Sequence, residues 1–100
     1  MAGNIYASGR WNVRAGEEEE FIRRWSDFLA WSREEHPALA FASLIRSDAD
    51  ADLFVSLAQW ETPEARATWQ NSEGFMKRFS ACRELCDDFS GGDFTLISSV

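Results

Sequence analysis

Few residues of this chain are of types that do chemistry unaided. It holds one histidine and two cysteines in 100 residues. His36 stands just before Pro37, where a helix must end because the residue before proline is pushed out of the α region. The negative end of the helix dipole favours its protonated form. It could serve as a general base, but it has no evident partner, and the plainer reading is a surface histidine at a helix terminus. Asp48, Asp50 and Asp52 match the opening of a calcium loop, which also needs Gly at its sixth place and Glu at its twelfth. Those places hold Leu53 and Gln59, so a solvated turn is expected. One histidine and two cysteines on one helix supply no tetrahedral zinc set, and no metal is expected. Cys82 and Cys86 share a helix face by their spacing and read as buried thiols rather than a bridge. The chain has no G-x-S-x-G nucleophile elbow and no Gly-rich phosphate loop.

What the chain does supply is rings. Aromatic residues make up 14% of it, with five Trp and eight Phe. Trp25, Trp69, Phe75 and Phe79 fall on helical segments. If those helices cover one face of a sheet, the four line a cavity between the layers. An apolar pocket with few polar groups is what a planar aromatic ligand needs. The competing reading is a solid core packed by the same rings. Polar candidates for chemistry beside them are Tyr6, Arg10, Asn12 and His36.

The elements that would position these residues follow from periodicity. Residues 5–13 alternate: Ile5, Ala7, Gly9, Trp11 and Val13 point one way, Tyr6, Ser8, Arg10 and Asn12 the other, which is a strand. A glycine within a strand marks a bulge or a close approach by another group, so Gly9 leaves room on its face. Ala15-Gly16 ends the strand. Glu17 to Glu20 open a helix against its dipole, and Phe21, Ile22, Trp25, Phe28 and Leu29 form its apolar stripe. Trp31 lies off that stripe, toward solvent or another subunit. Residues 39–46 and 53–60 form a hairpin of strands about the turn at 47–52. Thr62 caps a short helix with Pro63 at its first position, ending near Trp69 or Gln70. Ser72 caps a second helix read to about Asp88, along which Phe75, Phe79, Cys82 and Cys86 recur. Ser90-Gly91-Gly92 is read as a turn, and residues 93–99 as the last strand.

The order is β-α-β-β-α-β with the second helical region broken, the split βαβ or ferredoxin-like α+β pattern with an antiparallel sheet, in one domain over residues 1–100. Both faces of the third strand are apolar: Leu53, Val55 and Leu57 on one, Phe54, Ala58 and Trp60 on the other. One layer of helices covers one face of such a sheet. A second copy would cover the other, so a homodimer is expected.

The net charge is −7. Such a surface repels phosphate backbones and anionic membranes, so neither nucleic acid nor a membrane is an expected partner. No apolar stretch approaches the roughly 18 residues of a spanning helix, and the N-terminus lacks the basic and apolar regions of a signal peptide. The expected location is the cytoplasm.

At WETPEARATWQNSEGF, residues 60–75, the chain resembles the antibiotic biosynthesis monooxygenase (ABM) family: a strand ending in Trp, an ETPEA helix, then an aromatic, a Ser and a Phe. GRWNVRAGEEEEFIRRW resembles that family's first strand and helix, and LIRSDADADLFVSLAQWE its central hairpin. The resemblance implies a ferredoxin-like protomer whose dimer forms an α+β barrel. It implies oxygenation of polyketide-type anthrones, quinol oxidation, haem degradation, or no catalysis at all. The first two proceed with dioxygen and without metal, flavin or haem. Haem-degrading members use a first-strand Asn, a Trp, and a His ten residues after it. Trp69 matches the Trp, but Phe79 stands at the His and Gly9 at the Asn, so haem degradation is not expected. Quinol-type members carry His where Trp69 stands. Anthrone-oxygenating members can carry a Tyr where Phe75 stands. The expectation is a cofactor-independent monooxygenase for a small aromatic polyketide or quinol, with Trp25, Trp69, Phe75 and Phe79 shaping the cavity and Arg10 stabilising a substrate oxyanion. The alternative is a non-catalytic small-molecule-binding or stress-related dimer on the same fold.

Overall fold

The computed structural model describes residues 4–100. The elements are β1 (Ile5–Val13), α1 (Glu18–Glu35), β2 (Leu39–Arg46), β3 (Leu53–Trp60), α2 (Pro63–Gln70), α3 (Glu73–Arg83) and β4 (Cys86–Thr95). One sheet orders the strands β2-β3-β1-β4, with antiparallel neighbours throughout. This is the expected α+β arrangement, with the second helical region in two pieces.

Local chemistry explains the breaks. Gly16 turns the chain out of β1 with φ 92°, a left-handed conformation that a Cβ would strain. The Thr62 hydroxyl accepts the Ala65 N–H at 3.0 Å, and Pro63 occupies the first turn of α2. The Ser72 hydroxyl accepts the Phe75 N–H at 3.1 Å and starts α3 on a new axis. Helix α1 has no side-chain cap and opens on Glu18, Glu19 and Glu20 instead. Arg24 ties α1 to α3: its Nε meets Glu20 at 2.8 Å, its Nη1 donates to the Ala81 carbonyl at 2.8 Å, and it pairs with Glu84.

The strand register puts the core on one face. Ile5 lies opposite Trp60, Ala7 opposite Ala58, Gly9 opposite Ser56 and Trp11 opposite Phe54. Onto that face α1 lays Phe21, Trp25, Phe28 and Ser32, all buried. Trp60 and Phe21 are wholly enclosed. The other face carries Tyr6, Arg10, Val55 and Leu57 by the same register. Phe41, Ile45 and Phe94 on that side are 47%, 55% and 56% exposed.

The end of the chain departs from the sequence-based expectation. Helix α3 stops at Arg83, short of Asp88, and β4 begins at Cys86 rather than at residue 93. Ser90-Gly91-Gly92 lies inside that strand, not in a turn. Pairing with β1 is the reason. Trp11 faces Phe89, Gly9 faces Gly91 and Ile5 faces Thr95, with a register shift admitting Cys86 opposite Val13. A glycine within a strand marks a close approach by another group, here the Phe89 ring against Gly91. Cys82 and Cys86 therefore belong to different elements. Both thiols are free and buried, and the Cys86 Sγ lies 3.6 Å from the Cys82 carbonyl. Trp31 is partly buried within the protomer, with the Arg78 guanidinium 4.4 Å over its ring. It lies so close over Gly74 that a Cβ there would collide with it.

Candidate active site

Rings from five elements leave a cavity of about 350 Å³ between the sheet and the helices. That size falls within the roughly 300–1,000 Å³ of small-molecule sites. Helix α1 supplies Trp25 and Phe28, α2 supplies Trp69, α3 supplies Phe75 and Phe79, and the strands supply Trp11 and Phe89. The rings pack in sequence. Trp69 meets Phe75 edge-on at 4.6 Å, Phe75 stacks on Phe79 at 5.5 Å, and Phe79 meets Phe89 at 5.1 Å. Trp11 closes the run 4.3 Å from Phe89.

Trp69 is fixed from behind. Its indole N–H donates to the Ser32 hydroxyl at 2.9 Å, inside the core. Ser32 is 1% exposed and continues the buried stripe of α1 one turn beyond Phe28. A hydroxyl on an otherwise apolar stripe was the signal for it in the sequence. Trp11 is held likewise, donating to the Ser56 hydroxyl at 3.0 Å. The indole N–H groups of Trp25 and Trp60 are buried with no partner among the described residues.

On the sheet side two glycines sit beneath the Phe89 ring. A Cβ at Gly9 would lie 2.8 Å from the Phe89 ring, and one at Gly91 would lie 2.6 Å from it. The space that Gly9 leaves is thus filled by Phe89, which lies over the glycine pair. At the mouth stand two polar side chains from α2 and β4. Gln70 Nε2 donates to Asp93 Oδ1 at 2.8 Å, and both residues line the cavity. Behind them Arg66 Nε lies 3.6 Å from the same carboxylate oxygen.

The structure brings Trp25, Trp69, Phe75 and Phe79 together around this one space. It sets the polar candidates elsewhere. Tyr6, Arg10 and Asn12 project from the helix-free face of β1, where Arg10 borders a separate groove beside Phe94. His36 packs edge-on to Trp31 at 5.3 Å and to Trp60 at 6.1 Å, outside the cavity wall. Ser32, Ser56, Gln70, Phe89 and Asp93 were not picked out as site residues in the sequence. Among the described residues, no group of three or more His, Cys, Asp or Glu side chains is placed to hold a metal ion.

Burial pushes the Cys82 thiol up to about 12, and the neighbouring Cys86 adds to the effect. The Cys86 thiol is raised for the same first reason. A thiol held protonated is no nucleophile. No helix among the described residues is long and apolar enough to cross a membrane.

Known proteins share this architecture. SnoaB, a cofactor-independent oxygenase from Streptomyces nogalater, superposes with a TM-score of 0.88 at 22% identity, over 99% of this chain and 98% of that one. A conserved protein from Methanosarcina mazei Go1 gives a TM-score of 0.85 at 11% identity, over 95% and 94% of the two chains. A Pseudomonas aeruginosa protein gives 0.79 at 23% identity, over 98% of each. At these identities the likeness is one of fold. No curated protein matches the sequence significantly. The family profile described as "Antibiotic biosynthesis monooxygenase" matches residues 4–81. With the fold, the family profile and the WETPEARATWQNSEGF segment in agreement, the chain belongs to the antibiotic biosynthesis monooxygenase family.

Proposed function

We propose that this protein is a cofactor-independent monooxygenase of a small aromatic polyketide or quinol-type substrate. The observation that carries the reading is the ring-walled cavity of about 350 Å³ in a chain of this family. Flat aromatic walls bind a planar substrate through stacked and edge-on contacts. They also exclude water from an electron-rich ring, which keeps a carbanion or phenolate reactive toward dioxygen. In such a reaction a ring methylene becomes a carbonyl. For an anthrone, one oxygen atom enters the product, the other leaves as water, and the methylene supplies all four electrons and both protons.

Trp25, Trp69, Phe75 and Phe79 shape this site in the proposal. Tyr6, Arg10, Asn12 and His36 receive no part in the protomer's reaction, because none lines the cavity. Members of this family are typically dimeric, and we place a second copy on the open sheet face, where Tyr6, Arg10 and Asn12 would meet it. The two free thiols fit a reducing cytoplasm.

The test is oxygen consumption by metal-free protein with a panel of anthrones and quinols, against a heat-inactivated control. Uptake well above control is expected, and Trp69→Ala is expected to abolish it while leaving the oligomeric state unchanged. Undiminished turnover in that variant would overturn the role of Trp69. The loss of a hydroxyl at Phe75 favours a second reading, a binding module without catalysis; ligand binding with no oxygen uptake would select it.

A further inference from the structure

The polar atoms of the cavity wall are unevenly spent. The Ser56 hydroxyl accepts the Trp11 N–H at 3.0 Å and lies 3.5 Å from the Gly9 carbonyl, its acceptor. The Ser8 hydroxyl donates to the Ser56 carbonyl at 2.9 Å. The Trp69 N–H is taken by Ser32, while the Trp25 N–H in the same wall is buried without a partner among the described residues. At the mouth the balance differs. Asp93 Oδ1 receives Gln70, but among the described residues nothing donates to Asp93 Oδ2 or to Gln70 Oε1. A carboxylate accepts only, and an amide oxygen accepts only. Gln70 Nε2 keeps a second N–H, so this end offers one amide donor beside its two acceptors, and its charged acceptor is Asp93 Oδ2.

These acceptors are held in place. Arg66 and Gln70 lie one turn apart on α2 and reach the same residue of β4. The Arg66 side chain is 15% exposed. Its Nη1 donates to the Tyr6 carbonyl at 2.8 Å and to the Phe94 carbonyl at 3.4 Å. Strand pairing sets Asp93 opposite Ala7, on the helix side of the sheet. Two elements and a partly buried arginine thus fix one carboxylate at the rim of an otherwise apolar space.

We infer that Asp93, held by Gln70 and Arg66, is the recognition group of the cavity and accepts a hydrogen bond from a phenolic hydroxyl of the ligand. This rests on the reading that the cavity takes a small aromatic molecule, and it narrows that class to rings bearing a hydroxyl at the end nearest the mouth. A methyl ether at that end has no proton to give and would turn its lone pairs toward the carboxylate. Asp93 is a binding residue in this scheme, and no proton need leave the ligand.

The experiment compares 2-naphthol with 2-methoxynaphthalene at pH 6.5 by NMR titration. The tryptophan indole N–H signals report entry into the cavity, and the Gln70 side-chain amide reports the mouth. The wild-type protein is expected to bind the naphthol about 10-fold more tightly, the worth of one hydrogen bond to a charged acceptor. Asp93→Ala, a change at a half-exposed edge-strand position, is expected to bring the two ligands within about 2-fold of each other. Equal binding of both ligands by the wild type overturns the inference and leaves the aromatic-cavity reading standing. So does a naphthol preference that survives Asp93→Ala. If neither ligand moves any indole signal, the cavity reading falls, and this inference with it.

Discussion

A buried indole of the cavity wall is held more firmly where a hydroxyl accepts its N–H. Ser32 does this for Trp69. Ser32→Ala leaves the Trp69 N–H buried without an acceptor, which costs about 1–3 kcal/mol. The expected result is a lower urea midpoint at unchanged m-value, together with a shifted Trp69 indole signal. An unchanged midpoint would show that the hydrogen bond at 2.9 Å contributes nothing net. The thiols make a second test at this scale. Cys82 is fully buried and its thiol is raised to about 12, so it stays protonated at pH 9. Neither cysteine of the native protein is expected to react with an aromatic disulfide reagent at that pH, while both react in denaturant. A native thiol that titrates quickly would contradict the packing around Leu85 and Cys86.

At the scale of elements, α1 is fastened to α3 through Arg24, and that fastening depends on the charge of Glu20. Hydrogen bonds from Arg23 and then Arg24 hold the Glu20 carboxyl at about 2, against an ordinary 4.5. A carboxyl depressed in the folded state stabilises that state above its unfolded value. The contribution fades as pH falls from 4.5 through about 2. Arg24→Gln is therefore expected to lower the thermal midpoint at pH 6, with the gap to wild type narrowing toward pH 2.5. A gap independent of pH would assign the loss to packing of the Arg24 stem instead. The break between α2 and α3 is another element-scale device. Two separate hydroxyl caps, Thr62 and Ser72, let Trp69 and Phe75 approach edge-on at 4.6 Å, a contact that depends on where one helix stops and the next starts.

The described residues form one sheet with its helices packed on one side. Its open face keeps Phe41, Ile45 and Phe94 about half exposed, around the half-buried Val55 and Leu57 of β3. Apolar area of that kind marks an interface, and an antiparallel sheet can be covered by its own copy. Val55→Arg places a charge at the middle of the proposed contact, far from the ring-lined cavity. Sedimentation velocity is expected to show a dimer for wild type and a monomer for the variant, with the same circular dichroism spectrum. A monomeric wild type would remove the second copy from the proposal.

Much of this was legible in the sequence because it is local. Period two gave β1 and β3 their faces, the stripe from Phe21 to Phe28 gave α1 its buried side, and Thr62-Pro63 and Ser72 marked the helix starts. Those periodicities also led to Trp25, Trp69, Phe75 and Phe79, which the fold gathers around one space. The rest was decided by register between segments far apart in the chain. Only pairing with β1 shows that β4 begins at Cys86, since Cys86 to Phe89 continue a helical spacing when read alone. The same pairing lays Phe89 over Gly9 and Gly91 and brings Asp93 to Gln70. A local pattern reports which way a side chain points along its own element. Which distant residue a strand side chain meets is set by backbone hydrogen bonds between strands, and the meeting of Arg66 and Gln70 with Asp93 is set by where α2 docks beside β4.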